Sequence, residues 1–415
     1  MKNVIIAQSG GPTSAINATL AGVISGVRKS GRFGKIYGSL HGVTGVLEEK
    51  FIDLTDAFKA DSDDPSNTSD FTQLISTPAM YLGSCRYKLT DPMEDPSDYN
   101  RLFEVFKKLD IGAFFYIGGN DSMDTAAKLA EYGRILGSDI SFIGVPKTID
   151  NDLVLTDHTP GYGSAAKYIA TSMLEIAHDT YIYGIPCVTI VEIMGRDAGW
   201  LTAAAALARN EYNETPQLIY LPEVPFSIDS FLNDVREKLK IHNNLVIAVS
   251  EGIRDENGIY ITSTAAAADK FGHAQLSGAG KALEIIVKKE IGVKCRSIEL
   301  NILQRCAAHV ASSTDLKESF ELGEAGAALA AEGKTGLMPA IIRDSDEPYT
   351  YHIDAVDTTQ VANKESNVPV PWITPAGNDV TDELITYIKP LIQGESFPTF
   401  RGGLPSYMNI SHLSK

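Results

Sequence analysis

Seven consecutive residues, Pro146-Lys147-Thr148-Ile149-Asp150-Asn151-Asp152, put two carboxylates, a hydroxyl and an ammonium into one stretch behind the apolar run Phe142-Ile143-Gly144-Val145. In an extended segment, carboxylates two residues apart lie on one side. One can then take a proton from a hydroxyl while the other stays charged beside it. Lys147 puts a positive charge where a phosphate would want it, and a bound Mg²⁺ would neutralise the group in flight. Phosphoryl transfer to a hydroxyl is the chemistry this combination fits. An Asx turn followed by a surface acid would explain Asp150-Asn151-Asp152 alone. It leaves the lysine and threonine unexplained.

Further residues fit the same chemistry more loosely. Ser9-Gly10-Gly11 follows the apolar run Val4–Ala7 and precedes a helical pattern. Such glycines let backbone N–H groups approach a phosphate at a helix N-terminus, although many strand-to-helix turns use them only to turn. Gly118-Gly119-Asn120-Asp121-Ser122 reads either as a second such site or as a tight turn with an N-capping acid. Arg86 ends Tyr81-Leu82-Gly83-Ser84-Cys85-Arg86, Arg196 closes Met194-Gly195-Arg196, and Arg296 and Arg305 bracket Ser297–Gln304. Arginine forks phosphates well, but each alone is more often a surface ion-pair residue. His158, His178, His273 and His309 show no metal spacing and are given no role.

The elements that must position these residues are strands ending in glycine and polar residues. Val4–Ala7, Phe114–Ile117, Phe142–Val145, Val188–Ile193 and Leu245–Val249 all do so, the last running into Ser250-Glu251-Gly252. Helical patterns alternate with them, the first placing Ile16, Leu20, Val23, Ile24 and Val27 on one face. In parallel α/β sheets ligands sit beyond the carboxyl ends of strands, so these five ends predict the site. The stretch 53–70 is acidic and reads as a solvated surface insertion. The C-terminal stretch 349–415 looks irregular except for a helix near 382–393.

With 415 residues, 44% hydrophobic and 21% charged, the chain is that of a globular enzyme of two or three domains. A net charge of -17 argues against nucleic acid or an anionic membrane surface as partner. Cys85, Cys187, Cys295 and Cys306 have no paired spacing and read as reduced thiols. The first apolar run is too short for a signal peptide, and no later run approaches the ~20 residues of a span. A cytoplasmic protein is expected.

The motifs together resemble the phosphofructokinase family, in family order from Gly10 to Arg305: glycine turn, Gly-Gly pair, Thr-Ile-Asp-Asn-Asp, Met-Gly-Arg, Glu-Gly and Gln-Arg. ATP users of that family resemble Gly-Gly-Asp-Gly-Ser and Pro-Gly-Thr-Ile-Asp-Asn-Asp. Asp121 and Lys147 replace a glycine in each, as in the pyrophosphate-dependent branch. Asp121 would repel a nucleotide's α-phosphate, and Lys147 would neutralise a departing phosphate. The resemblance implies a glycolytic step, reversible transfer from pyrophosphate to the 1-hydroxyl of fructose 6-phosphate. The alternatives are an ATP-dependent enzyme, a pyrophosphate-dependent kinase of sedoheptulose 7-phosphate, or a silent regulatory subunit.

By the same resemblance Asp150 is the general base, and Asp152 supports the transferring group and its metal. Thr148 binds substrate, Gly10 and Gly11 bind the donor, and Arg86 meets the charge that develops. Met194, Gly195, Arg196, Glu251 and Arg305 hold the sugar phosphate, and Arg296 reaches a neighbouring subunit's substrate. Mg²⁺ is the implied cofactor, with Asn120 near it where relatives carry an acid. Other departures are Cys187 for an arginine, Ile302 for a histidine or tyrosine, and Ala21 and Ser25 for effector-binding arginines. The implied fold is α/β, with two Rossmann-like lobes and the site in the cleft. The donor lobe is expected from 1–163 plus about 304–365, and the sugar-phosphate lobe from 164–303 plus about 366–415. The assembly implied is a homodimer or homotetramer.

Overall fold

The structure is a computed structural model that describes residues 1–58, 70–262, 267–268, 274–275 and 278–414. Most of the acidic insertion, together with His273, lies outside the described residues. Two sheets carry the fold. The first has seven strands in the order Tyr349–Asp357, Leu337–Asp346, Ser141–Pro146, Ile111–Gly118, Asn3–Gln8, Ile36–Ser39, Phe51–Asp53. Its five inner strands run parallel and its two outer strands antiparallel. The second is wholly parallel, in the order Lys294–Glu299, Cys187–Ile193, Asn244–Ser250, Leu218–Tyr220.

All five predicted strands form, three in the first sheet and two in the second. They are near-continuous apolar runs because helices cover both faces, and Ile111–Gly118 is buried along its whole length. The predicted face of helix Ile16–Ser30 is also buried: Ile16, Leu20, Val23 and Ile24 at 0% exposure and Val27 at 2%. That helix lies tightly on helix Ser313–Ala331. A Cβ on Gly22 would stand 2.0 Å from the Phe320 carbonyl oxygen, so only glycine permits the approach.

The C-terminal stretch corrects the expectation of irregular structure. Its first nine residues, Tyr349–Asp357, form an outer strand of the first sheet, paired with Leu337–Asp346. An edge strand with one wet face carries polar residues such as His352 and Asp354 among its apolar ones, which hides it from a search for apolar runs. Helix Asp382–Ile388 and the 3₁₀ turn Lys389–Ile392 form where a helix was expected. Val368, Ile373, Leu384, Ile388 and Leu391 pack into a core with Val191 and Val246 of the second sheet. The last residues turn to the first lobe instead. The Met408 N–H donates to Thr77 Oγ1 (2.9 Å), and His412 Nε2 meets the Tyr81 carbonyl at 2.7 Å.

No helix among the described residues is long and apolar enough to cross a membrane.

Candidate active site

Three strand ends of the first sheet meet around Lys147. The Lys147 N–H donates to the Gly118 carbonyl (3.0 Å), and its Nζ donates to the Gly11 carbonyl (2.7 Å). Gly10 is left-handed (φ 79°), and a Cβ there would stand 3.1 Å from Lys147 Nζ. A side chain at Gly10 would be strained and crowded at once. Arg305 Nη1 lies 3.6 Å from where a Cβ on Gly11 would be. Ser84 Oγ donates to the Gly10 carbonyl (2.7 Å), which sets exposed Arg86 two residues away at the rim.

The loop itself is not extended as predicted. Asn151 is left-handed (φ 56°), so the chain kinks between the two carboxylates. Asparagine tolerates this conformation, and its buried amide holds it there. Asn151 Oδ1 accepts from the Thr159 N–H (2.9 Å), and its Nδ2 donates to the Tyr387 hydroxyl (3.0 Å). Thr148 Oγ1 accepts from the Asp150 N–H (3.1 Å) and donates weakly to Asp150 Oδ2 (3.4 Å). Neither Asn151's latch nor its partner Tyr387, 236 residues on, has a signature in local sequence.

The electrostatics are those of charges gathered before their ligand. Burial lowers Lys147 to about 8, although Asp150 and Asp152 attract its proton. Burial raises Asp150 against the pull of Lys147, Thr148, Arg196 and Arg305. Burial and then the Asp150 charge push Asp152 up to about 7. Desolvation thus outweighs the mutual attraction of the lysine and the two carboxylates. Asp152 Oδ1 is buried with no hydrogen-bond partner.

The second sheet supplies the facing wall. Gly195 is left-handed (φ 128°), its N–H donates to Glu251 Oε1 (3.4 Å), and its carbonyl accepts from Ser250 Oγ. A Cβ on Gly252 would stand 1.8 Å from the Arg196 carbonyl oxygen, which explains the glycine after Glu251. Arg196 Nε donates to Asp197 Oδ2 (2.8 Å). Glu251 rises to about 7 through burial, with the charges of Asp150 and Glu192 adding. That Asp150 acts on Glu251, and Arg196 on Asp150, puts both walls on one space. A pocket beside it is lined by Glu192, Met194, Glu251, Glu299, Asn301 and Gln304. Gln304 accepts the Met194 N–H (3.3 Å); neither it nor Glu192 was anticipated as lining the site.

Two expected residues sit elsewhere. Asn120 Oδ1 accepts from the Asn363 N–H and its Nδ2 donates to the Lys364 carbonyl. Segment 363–364 thus holds both ends of the amide that the resemblance places near a metal. Arg296 lies in the early half of its strand, opposite Thr189, and away from the strand ends. It pairs with Asp179 (2.9 Å), donates to Thr189 Oγ1 (3.2 Å) and stacks over Tyr183. Asp121 is exposed in the first turn of helix Asn120–Ile135, just after the glycine pair. Cys187 is buried and donates to Asn244 Oδ1 (3.0 Å), while Ile302 is 54% exposed.

Two mostly parallel sheets with glycine turns, a buried lysine–carboxylate loop and arginines at facing strand ends define a phosphotransferase cleft. The phosphofructokinase family pattern matches residues 3–321, so the chain belongs to the phosphofructokinase family. A pyrophosphate--fructose 6-phosphate 1-phosphotransferase of Methylococcus capsulatus is 39% identical over 416 residues, covering 100% of this chain and 97% of that one. Another, of Halomonas elongata, is 41% identical over 415 residues, covering 99% and 96%. The crystal structure of a pyrophosphate-dependent phosphofructokinase from Nitrosospira multiformis superposes with a TM-score of 0.87. It is 38% identical and covers 98% of this chain and 96% of that one.

Proposed function

We infer that this protein transfers a phosphoryl group reversibly from pyrophosphate to the 1-hydroxyl of fructose 6-phosphate, giving fructose 1,6-bisphosphate and phosphate. The observation that carries the donor is Lys147, buried between the Gly10–Gly11 turn and the two loop carboxylates. In the forward direction the sugar's O1 attacks the distal phosphorus, the bridging P–O bond breaks, and Asp150 takes the hydroxyl proton. Lys147 neutralises the departing phosphate. Gly10 and Gly11 hold the donor, with Arg86 at the rim, and Arg305, close to Gly11, holds the sugar phosphate. Thr148, Met194, Gly195, Arg196 and Glu251 hold the sugar phosphate. Asp121 stands where a nucleotide would continue beyond the phosphates and disfavours it by charge. Incubating the protein with both substrates and Mg²⁺ and following ³¹P NMR tests this: pyrophosphate should give way to phosphate and a new phosphomonoester in equal amounts. An unchanged spectrum would refute it.

The residues fit a Mg²⁺ ion held chiefly by substrate. Asp152 Oδ1 is a buried oxygen without a partner, and no cluster of three His, Cys, Asp or Glu occurs among the described residues. Mg²⁺ binds in this way, through one or two carboxylates and phosphate oxygens. When bound it would screen the repulsion between the donor's oxygens and the attacking hydroxyl.

The proposed donor lobe is 1–163 with about 304–365, and the acceptor lobe is 164–303 with about 366–415. The tail near Met408 and His412 returns to the donor lobe. A cytoplasmic homodimer or homotetramer, with Arg296 turned to a neighbouring subunit's substrate, completes the reading.

Two results are expected. The kcat/KM for pyrophosphate should be bell-shaped in pH. It rises as Asp150 ionises, above the ordinary carboxylate range, and falls near pH 8 as Lys147, charged below that pH, loses its proton. A profile flat between about pH 6 and 9 would contradict this. Rates should also be unmoved by nucleoside diphosphate or phosphoenolpyruvate. Ala21 is buried, and Ser25 donates to Glu324 (2.7 Å), so neither position offers a cation. A substrate curve that turns sigmoidal with either compound would overturn that expectation.

A further inference from the structure

The catalytic loop hangs from the return segment 157–160. The Thr148 N–H donates to the Pro160 carbonyl (3.1 Å) and Thr159 Oγ1 donates to the Thr148 carbonyl (2.8 Å). Asn151 takes the Thr159 N–H, and the Tyr387 hydroxyl that receives Asn151's amide donates in turn to the Asp157 carbonyl (2.6 Å). In the middle of this return sits His158, 2% exposed, to which the motif reading gives no role. Its Nδ1 lies 2.8 Å from Asp157 Oδ2 and its Nε2 lies 2.7 Å from Glu318 Oε2. Ionised carboxylates only accept hydrogen bonds, so both ring nitrogens must donate, which only the imidazolium can do.

Four packed elements contribute partners to it. Helix Ser313–Ala331 gives Glu318, and also Asp315, which takes the N–H groups of Gly161 (2.8 Å) and Ser164 (2.9 Å). Leu337–Asp346 gives Arg343, which grips Asp157 through Nη2 (2.9 Å) and Nε (3.1 Å). Tyr349–Asp357 gives the Tyr349 hydroxyl, which donates to Glu318 Oε1 (2.7 Å), and helix Asp382–Ile388 gives Tyr387. We propose that His158 is a positioning residue for phosphoryl transfer: bridging Asp157 and Glu318, it fixes the return that holds Thr148 and Asn151, and through them the Asp150 carboxylate.

Burial opposes the charge on His158, but Glu318 and Asp157 outweigh it and raise the ring to about 9. A histidine raised above its ordinary value contributes fully below that value and loses its contribution as pH climbs through about 9. Lys147 titrates in the same range, so the test compares Glu318→Gln with wild type at each pH, where the lysine cancels. The kcat ratio of variant to wild type should lie near one at about pH 6 and fall at least about fivefold by about pH 8.5. His158→Asn should lower kcat about tenfold or more, with KM for both substrates within about threefold.

A purely structural histidine would lower Tm in both variants while leaving the Glu318→Gln ratio flat. A flat ratio, or wild-type kcat in a folded His158→Asn protein, would overturn the proposal. Should His158→Asn fail to fold, the ratio alone decides. The proposal rests on the phosphoryl-transfer reading, and the two fail differently. Wild type inactive with pyrophosphate sinks that reading, whereas an active wild type with a flat ratio sinks only the role of His158.

Discussion

Replacing Asp150 by serine is expected to cut kcat by about 10²–10⁴, the worth of a positioned general base, with KM for both substrates within about threefold. Serine keeps a small polar group beside Thr148 but cannot accept the hydroxyl proton. The structure adds a second expectation. Asp150 helps keep the buried Lys147 ammonium protonated, so the variant's falling limb should move below about 8. Steady-state rates across pH test both. Turnover close to wild type would remove Asp150 from the base's role, and an unmoved limb would deny that its charge acts on Lys147.

The second large effect is on donor choice. Lys147→Gly leaves the Gly11 carbonyl without its partner and Asp150 and Asp152 without a cation between them and the donor. Losing such a preorganised charge typically costs about 10²–10³ in rate, and that loss is expected for pyrophosphate. Adding Asp121→Gly removes the exposed carboxylate at the start of helix Asn120–Ile135. In the double variant the ratio of kcat/KM for ATP to that for pyrophosphate should rise by about 10² or more. An unchanged ratio in a folded double variant would mean that donor choice lies in other residues.

Much of this was legible in the sequence because it is local. A buried parallel strand is an apolar run, and a phosphate turn is glycine beside it, so the three strand ends around Lys147 could be placed from Val4–Gly11, Phe114–Asp121 and Phe142–Asp152. What escaped depends on distant partners. The left-handed Asn151 is held by Tyr387, and the Asn120 amide by Asn363 and Lys364. The edge strand Tyr349–Asp357 has one wet face, which breaks the apolar pattern that revealed the inner strands. His158 gave no signal because an aspartate beside a histidine is commonplace in sequence, and Glu318, 160 residues on, had to be brought to the ring by the fold of helix Ser313–Ala331.

Pyrophosphate, and not ATP, is the donor for which this site is built. Initial rates on fructose 6-phosphate with Mg²⁺, supplying pyrophosphate or ATP as the sole donor, test it most directly. Rapid formation of fructose 1,6-bisphosphate with pyrophosphate and little with ATP is expected. Faster turnover with ATP would leave the fold and the base standing, and would contradict the roles given to Asp121 and Lys147.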